Sequence, residues 1–215
     1  MNNNISDKPL VIIGGGGHAS VIVDMLKQQK RDIVAIISPD DVTKRNVYTG
    51  IDVLTNDNEI VRFKPEDVRL VNGIGALPGS EIRYKVNLFF KRMGYTFETI
   101  VADNAYVSSF SFLEEGVQIF PGAIVQTGSH IGAHTIINTR ATIEHDVLLG
   151  AYNSISPGVI ICGQCKTEEH VFIGAGATVI QNIEIGSRAT IMANTLVTEN
   201  VQPQQKIYAP RALVR

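Results

Sequence analysis

The chain has 215 residues, enough for one large domain or two small ones, and either could bury a working core. Its 19 basic and 21 acidic residues leave a formal net charge of −2, which excludes the strongly positive field that binds nucleic acid or anionic membranes. Residues 1–9 are polar and lack the apolar region of a signal peptide, and no apolar run could span a bilayer. We therefore expect a cytoplasmic soluble protein.

The first hundred residues alternate short apolar segments with segments of helical spacing. This alternation predicts a small parallel α/β sheet, which we assign to a domain of residues 1–100. The predicted elements, in chain order, are a strand at 10–13, a helix at 19–27, strands at 33–37 and 68–72, a helix at 79–93 and an extended segment at 96–100.

Four glycines, Gly14 to Gly17, and His18 separate the first predicted strand from the first predicted helix. Glycines let the backbone approach a phosphate, and a helix N-terminus offers free N–H groups, so this loop is a candidate nucleotide site. A lone glycine loop is weak evidence, however, and a tight turn without a ligand is the alternative. Asp40 and Asp41 follow the second strand, where a carboxylate could bind a ribose or simply be solvated.

A period of six residues begins at Val101. Sixteen of the seventeen positions reached from Val101 in steps of six are Val, Leu or Ile, and the exception is Thr167. The positions four residues after each are mostly small or β-branched. A period of six fits neither an isolated helix nor an alternating strand, and a β-sandwich would need a period of two.

This period predicts a parallel β-helix over residues 101–215. Three six-residue sides would make a coil of about eighteen residues, and stacked coils would bury a continuous aliphatic column. Glycines follow the inward residue at several positions, as in Ile131-Gly132 and Leu149-Gly150. We expect these glycines to supply the unusual backbone angles of the corners.

The two cysteines, Cys162 and Cys165, form a CxxC pair. Such a pair could be redox-active or half of a zinc site, but no second CxxC is present, and His170 alone leaves the ligand set short. We interpret both as reduced side chains of the repeat scaffold and expect no metal.

One histidine of the repeat region has the neighbours that a general base needs. His145 lies between Glu144 and Asp146, and a carboxylate beside an imidazole can orient the ring and stabilise the imidazolium. His145 follows the inward Ile143 by two residues, so we expect it on the outside of a coil side. No GxSxG nucleophile motif is present, which favours direct transfer without an acyl-enzyme.

Three motifs together resemble one family. They are the GGGGHA loop at residues 14–19, the spacing from Ile74-Gly75 to Arg83, and the string Asn-Thr-Arg-Ala-Thr-Ile-Glu-His-Asp at residues 138–146. The chain resembles the bacterial sugar-nucleotide acetyltransferases of the PglD/NeuD type from Leu10 to Arg211. The segment from Tyr208 to Arg211 is similar to the family's closing segment, with Tyr208 in place of a glycine.

The resemblance implies a Rossmann-like domain followed by a left-handed β-helix, a homotrimer with active sites between neighbouring helices, and acetyl-CoA as co-substrate. It implies His145 as the general base, Asp146 as its supporting carboxylate and the N–H of Gly163 as donor to the thioester oxygen. The nucleotide-sugar residues it implies are Gly14, Gly16, Gly17 and His18, to which we add Asp40 and Gly75. It also implies Asn138 as a substrate-binding residue that lines the acceptor or CoA cleft. The acetyl-CoA residues are Ser154, Gly163, Gly174, Ala175, Gly176 and Pro210.

At one position the chain departs from the family pattern. Many members have a second histidine nine residues after the base, and this chain has Ser154 there. We predict an N-acetyltransferase acting on the 4-amino group of a UDP-linked 4-amino-4,6-dideoxy sugar of the bacillosamine type. The alternatives are an O-acetyltransferase of sialic acid or a related sugar, and a non-catalytic β-helix scaffold.

Overall fold

The computed structural model describes residues 7–209, which form two compact units, residues 7–98 and residues 99–209. The division falls two residues before the boundary expected from the sequence. The elements of the N-terminal unit are β1 (Leu10–Ile13), α1 (Gly17–Gln28), β2 (Ile33–Ile37), a 3₁₀ helix (Asn46–Tyr48), β3 (Asp52–Leu54), a second 3₁₀ helix (Asp57–Arg62), β4 (Arg69–Asn72) and α2 (Ile82–Arg92).

The N-terminal unit is a four-stranded parallel sheet in the order β3-β2-β1-β4. The order reverses between β1 and β4, which is where α/β sheets bind ligands at the carboxyl ends of their strands. Strand β3 was not predicted because it has only three residues, of which Asp52 and Val53 are exposed. Helix α2 begins three residues later than predicted, since Gly79 has a φ of +74° that no helix contains.

The C-terminal unit is a left-handed parallel β-helix. The period of six predicts the parallel β-helix, and the family resemblance implies its left hand. Its strands are two residues long: β5 (Ile100–Val101), β6 (Tyr106–Val107), β7 (Phe112–Leu113), β8 (Gln118–Ile119), β9 (Ile124–Val125), β10 (His130–Ile131), β11 (Ile136–Ile137), β12 (Thr142–Ile143), β13 (Leu148–Leu149), β14 (Ser154–Ile155), β15 (Ile160–Ile161), β16 (Lys166–Thr167), β17 (Phe172–Ile173), β18 (Thr178–Val179), β19 (Glu184–Ile185), β20 (Thr190–Ile191), β21 (Leu196–Val197) and β22 (Lys206–Ile207).

Every third strand belongs to the same sheet, so the helix has three faces. The first face contains β5 and each third strand to β20, then β22; the second runs from β6 to β21; the third runs from β7 to β19. Paired residues are eighteen apart, as Ile143 pairs with Val125 and Ile161. The last pair of strands is the exception, since Thr190 pairs with Lys206. The inward residues of all three faces form one buried core, for example Ile131, Ile155 and Ile173, each fully buried.

The glycines that follow inward residues have a different role from the one we expected. Gly132, Gly150, Gly174 and Gly186 do not have positive φ angles. Instead, a Cβ added to Gly132 would lie 2.5 Å from the backbone of Gly150, so these glycines let successive coils stack closely.

The left-handed corner positions lie two residues further along the chain, and most are not glycine. The second corner, which joins the second face to the third, has its positive φ at Gly128, Asp146, Gln164 and Asn182. The third corner, which joins the third face to the first, includes His134, Tyr152 and His170, whose rings stack. The backbone hydrogen bonds between coils, such as Gln164 N–H to the His145 carbonyl at 3.0 Å, hold these strained residues in place.

The single polar residue of the inward column has a partner inside the helix. Thr167 is 7% exposed, and its hydroxyl accepts hydrogen bonds from the side chain of Asn153 and from the N–H of Gly150. Asn153, 1% exposed, in turn accepts from the N–H of Val171 at 2.7 Å. The polar side chains of Thr167 and Asn153 therefore satisfy each other's hydrogen-bonding groups inside the helix.

Within residues 7–209 no helix is long and apolar enough to cross a membrane. The longer of the two α-helices described, α1, has 12 residues, whereas a span needs about 20. The cytoplasmic location expected from the sequence stays a prediction.

Candidate active site

His145 and Asp146 lie at the second corner of the β-helix, directly after β12, and not on a coil side as expected. Nδ1 of His145 is 2.9 Å from Oδ2 of Asp146, and both side chains are more than half exposed. Asp146 has a φ of +59°, a conformation that Asp tolerates better than most residues. The corner thus turns the carboxylate back onto the imidazole, and leaves the ring open to a substrate.

Gly163 lies one coil below the histidine and makes room for its ring. A Cβ at Gly163 would lie 2.6 Å from both Cε1 and Nε2 of His145, so only glycine leaves space for the imidazole here. Because Nδ1 is hydrogen-bonded to Asp146, Nε2 is the nitrogen left to accept a proton. Among residues 7–209, the N–H of Gly163 has no hydrogen-bond acceptor in the protein.

Gly128, one coil above, was not identified from the sequence. A Cβ at Gly128 would lie 2.3 Å from Oδ1 of Asp146, so the carboxylate occupies the space over this glycine. Glycines one coil above Asp146 and one coil below His145 therefore make room for the pair. The signal that could have found Gly128 is its position eighteen residues before Asp146.

An open polar cavity of about 400 Å³ lies beside Asp146. Gln164 and Asn182 follow Asp146 down the second corner, and Lys166 and Glu184, 3.6 Å apart, lie on the third face. These side chains line the cavity with hydrogen-bond donors and acceptors. Such a lining suits a ligand with several hydroxyl groups.

The other candidates of this unit lie elsewhere on the coil. Asn138 follows β11 at the first corner, where its Oδ1 accepts from the N–H of Thr139 at 2.8 Å. Ser154 is on the first face and 8% exposed, and Gly174 to Gly176 lie at the end of β17. Residues share a corner only when eighteen apart, so within one chain none of these joins His145. Pro210 lies outside the described residues.

The glycine loop of the N-terminal unit begins at the carboxyl end of β1. Gly14 has a φ of +93°, Gly16 is the N-cap residue of α1, and Gly17 and His18 are its first two residues. The helix has no side-chain cap and no acidic residue in its first turn. The N–H of Gly17 and the positive dipole end of the helix are therefore available to an anion.

The loop after β4 packs against the glycine loop. The N–H of Gly73 donates to the Ile13 carbonyl at 2.7 Å, and a Cβ at Gly75 would lie 3.5 Å from Cβ of His18. Arg83, from α2, is buried and donates to the carbonyl of Ile74, which explains the spacing between these residues. The structure thus brings Gly14, Gly16, Gly17, His18 and Gly75 together at the point where the strand order reverses.

Asp40 is exposed beyond the carboxyl end of β2, and its N–H donates to Oγ of Ser38 at 3.3 Å. Its neighbour Asp41 accepts hydrogen bonds from the hydroxyl and N–H of Thr43, and these bonds lower the pKa of the Asp41 carboxyl. The side chain of Asp41 therefore supports its own loop, and Asp40 is the carboxylate that remains a candidate for a ribose.

Tyr48 was missed by the sequence analysis. It is 4% exposed, and its hydroxyl lies 3.0 Å from the Gly15 carbonyl and 2.9 Å from that of Gly16. Burial raises the pKa of the Tyr48 phenol, against the opposing effects of Arg45 and Ser20, so the hydroxyl keeps its proton. No local pattern marks this tyrosine, because it is separated from the glycines by more than thirty residues.

Cys162 and Cys165 are both free cysteines that form no disulfide. Cys165 is buried, and its thiol donates to the Ile180 carbonyl at 2.9 Å, while Cys162 is partly exposed. Burial raises the pKa of the Cys165 thiol, which disfavours the reactive thiolate. Within residues 7–209, no group of three or more His, Cys, Asp or Glu side chains could hold a metal ion.

Two family models match this chain. The model of the PglD N-terminal domain matches residues 9–86, which include the glycine loop and the loop after β4. The model described as a hexapeptide repeat of succinyl-transferase matches residues 166–199 of the β-helix.

Known proteins resemble the chain over most of its length. GDP-perosamine N-acetyltransferase of Escherichia coli O157:H7 is 26% identical over 174 residues, or 79% of this chain and 77% of that protein. The crystal structure of PerB from Caulobacter crescentus with CoA and GDP-perosamine is 29% identical, covers 92% of each chain and has a TM-score of 0.81. The acetyltransferase domain of PglB from Neisseria gonorrhoeae with acetyl coenzyme A is 25% identical, covers 94% of this chain and 96% of that one, and has a TM-score of 0.84.

The chain resembles the sugar-nucleotide acetyltransferases of the PglD/NeuD type over both units, in agreement with the resemblance seen in the sequence. The chain is an acetyltransferase that uses acetyl-CoA, and the comparisons support N-acetylation of a nucleotide-linked amino sugar. The glycine loop of the N-terminal unit and the His145 corner of the C-terminal unit are two candidate sites of this enzyme.

We predict that Gly163→Ala lowers kcat by roughly 10²–10⁴, the cost of losing a general base, because the new methyl must displace the His145 ring. The protein should still fold, since the ring is exposed and can move outward. Steady-state kinetics and thermal unfolding measure both effects. If the methyl acts through the ring, Gly163→Ala should add little to His145→Ala. Full activity of Gly163→Ala would show that the ring position does not matter.

Proposed function

We propose that the enzyme transfers an acetyl group from acetyl-CoA to the 4-amino group of a nucleotide-linked 4-amino-4,6-dideoxy sugar, with His145 as the general base. One observation carries this assignment: Nδ1 of His145 binds Asp146 while Nε2 faces Gly163, whose N–H has no acceptor within residues 7–209. A base and a backbone donor for the oxyanion thus stand side by side, as acyl transfer requires.

The proposed reaction is a direct transfer. The sugar ammonium first loses one proton to solvent, and the amine then attacks the thioester carbonyl. Nε2 of His145 removes a second proton from the nitrogen as the C–N bond forms. Asp146 stabilises the imidazolium, and the Gly163 N–H donates to the developing oxyanion. The C–S bond then breaks, and the imidazolium returns its proton to the CoA thiolate. The polar cavity beside Asp146 would hold the sugar hydroxyls.

The glycine loop would bind the diphosphate of the acceptor, since its N–H groups and helix dipole favour an anion. The sequence led us to expect a UDP-linked sugar, whereas the perosamine enzymes among the relatives are named for a GDP-linked sugar. Asp40 would bind the ribose of either nucleotide. A UDP-linked 4-amino sugar and GDP-perosamine are therefore the two acceptors to compare first.

The residues implied for acetyl-CoA suggest how the site is completed. Ser154 and Gly174 to Gly176 lie away from the His145 corner of the same chain. Asn138, implied for the acceptor, also lies away from it. A cleft that includes both sets therefore needs a second chain, and we propose a homotrimer with sites between neighbouring helices. In support, the outward side chains of Tyr106, Ile160 and Leu196 on the second face are 56%, 42% and 62% exposed and apolar or aromatic.

We predict that His145→Ala lowers kcat by roughly 10²–10⁴ with little change in KM for acetyl-CoA, because the base acts in the transition state. Asp146→Asn should cost less, since Asn also tolerates the positive φ and can still contact the ring. His130 is the matched control, because its Nε2 also contacts a carboxylate, Glu114, at 2.6 Å, but on the third face. An active His145→Ala variant would disprove the base assignment.

We predict higher kcat/KM with a nucleoside-diphosphate 4-amino sugar than with free or CMP-linked sialic acid.

Gly16→Val should raise the KM of the sugar nucleotide and leave that of acetyl-CoA unchanged, since the side chain would stand where the phosphate approaches. The backbone accepts this change, because Gly16 has a φ of −76° and no atom lies within 4 Å of an added Cβ. Greater efficiency with sialic acids would favour the O-acetyltransferase, and no CoA release with any acceptor would favour a scaffold.

We predict a stable homotrimer, which light scattering should detect as three chains of 23.4 kDa. Leu196→Lys should reduce the assembled fraction, because a charge would be buried in the interface. The coil itself should stay folded, as this side chain points away from its core. A monomer at micromolar concentration would contradict the prediction.

A further inference from the structure

Tyr48 holds the glycine loop from its inner side. Its hydroxyl donates to the carbonyls of Gly15 and Gly16, at 3.0 and 2.9 Å, and so serves two successive peptide groups. The ring is 4% exposed and sits at the end of a 3₁₀ helix whose backbone is fixed by the bonds from Tyr48 N–H to Arg45 and from Ile51 N–H to Tyr48. The hydroxyl is therefore a fixed donor.

The fixed carbonyls determine where the N–H groups of the loop point. A peptide group is planar and trans, so its N–H points away from its carbonyl oxygen. With the carbonyls of Gly15 and Gly16 turned toward Tyr48, the N–H groups of Gly16 and Gly17 face the opposite side. Both residues are exposed, and neither N–H has an acceptor in the protein among residues 7–209.

Without the Tyr48 hydrogen bonds the loop could adopt other backbone conformations. Glycine adopts positive and negative φ almost equally, so peptide groups between glycines can rotate at little cost. A rotated peptide would present a carbonyl oxygen, which repels phosphate, in place of an N–H. Gly15 is packed against Ser38 and Val42, where a Cβ would be 2.8 and 2.3 Å from their atoms, but Gly16 and Gly17 have open space. The Gly16 carbonyl also accepts from the N–H of Ser20 at 3.0 Å, the first hydrogen bond of α1, so Tyr48 and the helix hold that peptide together. Within residues 7–209, the Gly15 carbonyl has no donor other than the Tyr48 hydroxyl, so Tyr48 is the contact that fixes the peptide between Gly15 and Gly16.

We propose that Tyr48 is a positioning residue for the acceptor: its hydroxyl selects the peptide orientation in which the glycine loop binds the nucleotide diphosphate. The inference rests on the proposed function of the loop and adds a residue that touches no substrate itself. Tyr48 should affect nucleotide affinity and not the acetyl-transfer step, because its hydroxyl donates to the loop carbonyls and contacts no reacting atom.

The test is Tyr48→Phe, which removes one oxygen and keeps the ring. We expect the KM of the sugar nucleotide, and the Kd of UDP or GDP measured by calorimetry, to rise roughly tenfold, the size of one lost hydrogen bond near 1.4 kcal/mol. The KM of acetyl-CoA and kcat should change little. Both nucleoside diphosphates are measured with the full chain.

Tyr95→Phe is the matched control. Tyr95 is also 4% exposed and also donates to two carbonyls, of Ile60 and Phe63, at 3.0 and 2.6 Å. Both variants should lose some thermal stability, but only Tyr48→Phe should weaken nucleotide binding. Unchanged nucleotide affinity in Tyr48→Phe, or an equal loss in Tyr95→Phe, would overturn the proposal. If the unmodified enzyme bound neither nucleoside diphosphates nor sugar nucleotides, the proposed function itself would fail, and this inference with it.

Discussion

The stacking of each residue on the one eighteen positions before it is the constraint on which the C-terminal unit depends. Backbone hydrogen bonds between coils fix this register, and the aliphatic column enforces it by burying one large side chain per face. The same register brings His145 over Gly163 and Asp146 under Gly128. A slip of the coil by a single residue would place a side chain beneath the imidazole, so the fold and the candidate site depend on one geometric rule.

The repeat could be predicted from the sequence because it is local and redundant: sixteen of seventeen positions show the same aliphatic period. The role of its glycines could not, because close contact between coils is invisible in a linear pattern. Gly132 was expected at a strained corner, yet its backbone is ordinary and its missing side chain lets Gly150 approach. The positive-φ positions belong instead to residues such as Tyr152 and Gln164, which sequence propensity would not place there.

The residues of the candidate site also divide into those that the sequence predicted and those that only the structure revealed. His145 and Asp146 are adjacent in the chain, so their pairing was predictable, and Gly163 entered through the family resemblance. Gly128 and Tyr48 needed three-dimensional structure, since each acts on a residue eighteen or more positions away. Short strand β3 was missed for a related reason, as three residues with two exposed carry almost no pattern.

The two units solve different physical problems. Acyl transfer needs a base and an oxyanion donor held in fixed geometry, and a coil corner bonded above and below provides rigid placement. Nucleotide recognition needs bare backbone N–H groups, which only glycines leave uncovered, and glycines are the least rigid residues in the chain. The glycine loop therefore needs a contact from outside the loop to hold its conformation, whereas the coil corner does not. A buried hydroxyl that turns two loop carbonyls inward is such a support, because it removes the loop's freedom without adding a side chain to the face that meets the phosphate.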